Sequence, residues 1–74
     1  MSSPVYYIQD TLTRQWVTQI FTKKDGSRNV DFGPAPGMQR WITQKGAEAA
    51  IERLRSCVTN PPGAADHLQV IMVR

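Results

Sequence analysis

A nucleophile and a base are the first residues to seek, and the chain offers one candidate for each, Cys57 and His67. Asp66 precedes His67, but neighbours in an extended segment project to opposite faces, so this carboxylate cannot orient the imidazole as a triad requires. Cys57 falls at the C-terminal end of a helical pattern, where the carbonyl pole disfavours a thiolate. It reads as a small hydrophobe on the flank of the helix stripe. One Cys and one His cannot close a tetrahedral zinc site. Asp25, Gly26 and Asp31 do not match a calcium loop. Gly33 and Gly37 lack the Lys-Ser/Thr of a phosphate loop. The expectation is a protein that is not an enzyme, with no catalytic residues, no metal and no cofactor. A reaction site would have to be assembled across subunits.

Binding chemistry is better represented. Tyr6, Tyr7, Trp16, Phe21 and Trp41 are many large rings for a chain of 74 residues. Rings left on an open surface anchor protein partners. The leading expectation is a small protein-binding module with Trp16, Phe21 and Trp41 as partner-binding residues. The partner is another protein or a second copy, the latter giving a homodimer through an uncovered face or an edge strand. The alternative is a nucleic-acid-binding accessory protein, in which Lys23, Lys24 and Arg28 meet phosphates and Tyr7 and its fellow aromatics stack on bases. Nine Lys and Arg against six Asp and Glu give a formal charge of +3, a mild lean towards anions. Pro34-Ala-Pro36 and Pro61-Pro62 are too short for a polyproline ligand and read as loop punctuation.

The elements that must position these groups belong to one domain spanning 1–74. A chain this short buries only about 60–65% of the surface its unfolded form exposes, so the core is small and self-association is a natural way to enlarge it. With 41% hydrophobic and 20% charged residues, the composition is that of a folded domain. The single cysteine excludes an intrachain disulfide and points to a reducing, cytoplasmic setting. Neither a secretory segment nor a run of ~18 apolar residues is present, so no membrane association is expected.

Periodicity predicts strands at about 5–9, 15–22, 28–32 and 67–73, and a helix at about 44–58. The first three strands form an antiparallel meander. Strict alternation through the second places Trp16, Thr18 and Ile20 on one face and Val17, Gln19 and Phe21 on the other. Asp25-Gly26 predicts a type I′ hairpin turn. Gly33 to Gly37 is an ordered loop, with 38–42 running extended along a sheet edge. Thr43 caps the helix, whose stripe of Ala47, Ala50, Ile51, Leu54 and Val58 faces the core. Pro61 and Pro62 follow its end. Leu68 to Val73 is apolar on both faces apart from Gln69, which predicts an interior strand lying mid-sheet.

Val5-Tyr-Tyr-Ile with Trp16 shares a local likeness with WW domains, but the chain has neither the upstream Trp nor the Pro after Trp16. A broader likeness runs through Tyr6-Tyr-Ile-Gln-Asp, Trp16-Val, Trp41-Ile-Thr, Ala47 to Leu54 and the terminal apolar strand. In these residues the chain resembles small, mostly uncharacterised α+β domains encoded by phages and mobile elements. That resemblance implies a mobile-genome context and an accessory or host-directed inhibitory role. The expected fold class is α+β: a three- to four-stranded, mainly antiparallel sheet with one helix packed on one face.

Overall fold

A computed structural model describes residues 4–37 and 39–73. It is α+β, with strands β1 (Val5–Asp10), β2 (Trp16–Thr22) and β3 (Arg28–Gly33), helix α1 (Gln44–Arg55), and strands β4 (Thr59–Asn60) and β5 (Leu68–Val73). The strands form one five-stranded sheet in the order β4-β3-β2-β1-β5, one more than the upper expectation. The additional member is the two-residue β4, which pairs in parallel with Arg28 and Asn29 immediately after the helix.

Local chemistry accounts for the meander. In the first turn the Asp10 carboxylate accepts from the amides of Leu12 (2.8 Å) and Thr13 (3.2 Å), and Arg14 takes the left-handed conformation at φ 63°. The second turn is not type I′, because of its two central residues only Gly26 has positive φ. The Gly26 amide donates to the Lys23 carbonyl and the Lys23 amide to that of Ser27. That arrangement is a three-residue loop ending in a left-handed glycine, held by Asp25, whose carboxylate accepts from the Ser27 amide (2.9 Å) and hydroxyl (2.6 Å).

Strand β2 departs from strict alternation. Its register against β3 shifts between Val17 and Gln19, so that Val17 faces Phe32 and Ile20 faces Val30. A bulge inserts one residue and reverses parity. Val17 and Ile20 consequently share the helix side with the rest of the core, and Trp16 and Phe21 fall together on the other face. The expected division of Trp16 and Phe21 between the two faces is thereby overturned.

The core lies between the sheet and α1. Ile8, Val17 and Leu54 are its largest fully buried side chains, joined by Val30, Ala47, Ile51 and Leu68. Each Val, Leu or Ile among them contributes about 1.5–3 kcal/mol by leaving water. Thr43 caps the helix as expected, its hydroxyl accepting from the Gly46 amide at 3.0 Å. The far end comes sooner than predicted. Ser56 is the C-cap, and Val58, expected on the buried stripe, is 76% exposed. Its carbonyl instead accepts from the Arg28 amide, because the chain must leave the helix to reach β3.

Two further expectations are corrected. Strand β5 is not mid-sheet: it pairs with β1 alone, Tyr7 opposite Ile71 and Gln9 opposite Gln69, and forms the margin of the sheet. Its doubly apolar pattern has another cause, helix on one side and, on the other, Ile71 beside Tyr7 and Val73 beside Val5. The segment before the helix does not run along an edge either. Tyr6 and Trp41 exchange both backbone hydrogen bonds, at 2.8 and 2.9 Å, on the side of β1 that faces β2. Met38, also in that predicted stretch, lies outside the described residues.

Candidate functional site

The helix covers one face of the sheet and leaves the other open. Alternation from the buried Ile8 puts Tyr7 and Gln9 on the open face, and the pairing with β5 sets Gln69 and Ile71 beside them. The indole of Trp16 meets the Tyr7 ring edge-on, with centroids 6.1 Å apart and planes at 82°, a favourable quadrupolar geometry. Trp16 stands opposite Gly33, which offers no side chain to shield it. Tyr7, Trp16 and Ile71 form a half-buried apolar patch. Phe21, 47% exposed, extends this face towards the second hairpin, beyond the polar Gln19 and Asp31, which face each other across β2 and β3.

The third expected anchor is elsewhere. Trp41 packs against the core on the helix side, where it shares a groove with Arg28, Ala50 and Arg53. Trp16 and Phe21 are brought to one face, and Trp41 is not among them. Sequence reasoning did not select Ile71, whose role depends on the β1–β5 register; its signal was the apolar run from Val70 to Val73.

The cationic candidates are separated from the aromatic pair. Lys23 and Lys24 lie at the exposed tip of the second hairpin. Seven residues of extended chain place Lys23 about 20 Å from Trp16. Arg28 is half-buried at the start of β3, on the far side of β2 from Tyr7.

Cys57 is half-buried in the turn after α1 rather than on the helix itself. It lines a shallow concavity of about 250 Å³ with Asp66, Thr59 and Pro62. His67 is exposed. Among the described residues, no cluster of three His, Cys, Asp or Glu side chains could hold a metal ion. No helix among them is long and apolar enough to cross a membrane. The Asp25 carboxyl is held below its ordinary value by the Ser27 hydroxyl and then the Ser27 amide.

No protein-family model, curated protein or solved structure matches this chain.

Proposed function

We propose that this domain is a non-enzymatic protein-binding module whose docking surface is the uncovered sheet face centred on Trp16. The observation that carries the reading is the Tyr7–Trp16 pair, an edge-on aromatic couple left half-exposed beside Ile71 while the helix occupies the opposite face. Rigid aromatics with little rotamer entropy to lose are the side chains that dominate protein interfaces. Phe21 widens the surface. What weighs against the nucleic-acid alternative is the separation of Lys23 and Lys24 from that pair, since base stacking and phosphate neutralisation must act on the same few nucleotides.

The test places a photo-reactive phenylalanine analogue at Trp16 and at Phe21 in the cells that encode the protein, with exposed Lys45 on the helix as control position. Adducts to a protein or to a second copy, specific to the sheet face, support the reading. Adducts to nucleic acid alone, or adducts as frequent from Lys45, overturn it.

A further inference from the structure

The two long sides of α1 carry opposite charge. Towards β5 the helix presents Glu48 and Glu52 above a groove floored by Ile51 and Leu68. Arg55, on that side, is engaged: its guanidinium donates to the Ala65 carbonyl at 3.2 Å and lies 3.6 Å from the Glu52 carboxylate. Towards β2 and β3 the helix presents Ala50 and Arg53. The concavity there, of about 240 Å³, is lined also by Arg28, Thr22, Gln39 and Trp41. No carboxylate and no histidine lines it. Among the described residues the ion pair and the guanidinium hydrogen bond both belong to Arg55, and Arg28 and Arg53 have neither.

Each group in this concavity is held by a different element. Arg28 stands opposite Thr22 in the β2–β3 ladder, which sets their Cβ atoms about 5 Å apart on one face. Alternation from the buried Val30 puts that face on the helix side. The Arg28 amide donates to the Val58 carbonyl at 2.9 Å, and β4 pairs alongside, so the Arg28 backbone is fixed from both flanks. Trp41 is held by its two hydrogen bonds with Tyr6. Arg53 follows Ala50 by three positions and rises from the same strip of the helix.

We propose that this concavity binds a phosphomonoester, with the phosphate seated between Arg28 and Arg53. Two guanidiniums without a carboxylate bring two positive charges, which match the near-dianion that a phosphomonoester forms at neutral pH. A phosphodiester supplies a single negative charge and leaves one guanidinium uncompensated. Planar forks donate parallel pairs of N–H bonds, and a tetrahedral group with three terminal oxygens accepts from two forks at once. The Thr22 hydroxyl and the Gln39 carboxamide add neutral donors. The Trp41 ring, packed against the core, is an apolar wall for the organic part of the ester. At ~30 Å³ for each water displaced, the volume admits a phosphate with a few carbon atoms. The site lies on the helix side, away from the Tyr7–Trp16 pair, and does not depend on the docking reading.

Phenyl phosphate titrated into the isotopically labelled protein tests the assignment by NMR, with sodium chloride of equal ionic strength as reference. The Nε–H signals of Arg28 and Arg53 and the indole N–H of Trp41 are expected to shift together and to saturate at one equivalent. Affinity should rise several-fold between about pH 5 and about pH 7.5. The second ionisation of the ester, near about pH 6, completes the dianion while both arginines stay charged. Arg53→Gln, at an exposed position, lowers the affinity about tenfold or more, and Lys45→Gln leaves it unchanged. Arg28→Gln acts in the same direction, and Arg53→Gln alone decides where the half-buried Arg28 variant fails to fold. A phosphoserine peptide that binds tighter than phenyl phosphate assigns the ester to a modified protein; equal or weaker binding assigns it to a small phosphorylated molecule. Shifts that chloride reproduces, that never saturate, or that Lys45→Gln weakens as much as Arg53→Gln, overturn the proposal. So does an affinity that ignores pH, or an oligonucleotide without terminal phosphates that competes more strongly per phosphate.

Discussion

Gly37 lies against the backbone of Thr18 so closely that a methyl group on it would stand 2.9 Å from Thr18 Cβ and 3.0 Å from the Thr18 carbonyl oxygen. Thr18 is the bulged position of β2, so the proline loop closes on the point where the strand changes parity. Backbone cannot retreat as the end of a flexible side chain can. Gly37→Ala is expected to cost about 1–3 kcal/mol through overpacking, read as a lower urea midpoint with an unchanged slope.

Arg14 gives the opposite sign. Its φ of 63° is in the left-handed region, where a Cβ costs roughly 1 kcal/mol and glycine costs little. The hydrogen bond from the Gln9 side chain goes to the Arg14 carbonyl, which glycine retains. Arg14→Gly should stabilise the domain by about 0.5–1 kcal/mol in chemical denaturation.

Asp25 sets a pH dependence. Its carboxyl is depressed below 3.8, first by the Ser27 hydroxyl and next by the Ser27 amide. A group depressed on folding contributes stability above its unfolded pKa and loses it as pH falls through the folded value. The hairpin tip therefore loosens only below about pH 3.8. A carboxyl-carbon NMR titration should show the Asp25 midpoint below that value in the native protein and moved upward in Ser27→Ala.

The placement of Lys23 and Lys24 makes a further statement testable. A duplex or single-stranded oligonucleotide should bind only weakly, and Lys23→Glu with Lys24→Glu should leave the Trp16 adducts unaltered. A steep fall of oligonucleotide affinity with salt, flattened by those two changes, would favour the nucleic-acid alternative through counterion release.

Much of this architecture was legible because its signals are local. The Thr43 cap, the stripe of Ala47, Ile51 and Leu54, and the alternation of Val30 and Phe32 all depend on near neighbours. The bulge at Thr18 was not legible, since Val17-Thr18-Gln19 holds no glycine, and the backbone that lies against it, Gly37, comes from far along the chain. Nor could an apolar run such as Leu68 to Val73 declare whether its second margin is paired, because faces leave a pattern in the side chains and margins do not. The proposed docking face was half visible for the same reason: Trp16 and Tyr7 stood out by type, whereas Ile71 was selected by register.

The opposite rim of the sheet is built otherwise. Strand β4 has two residues and runs into Pro61 and Pro62, and β3 beyond it carries the exposed Asp31 and then Pro34. Imino acids and a carboxylate are poor templates for another chain. Among the described residues, strand addition is therefore favoured at the β5 margin over the β4 margin.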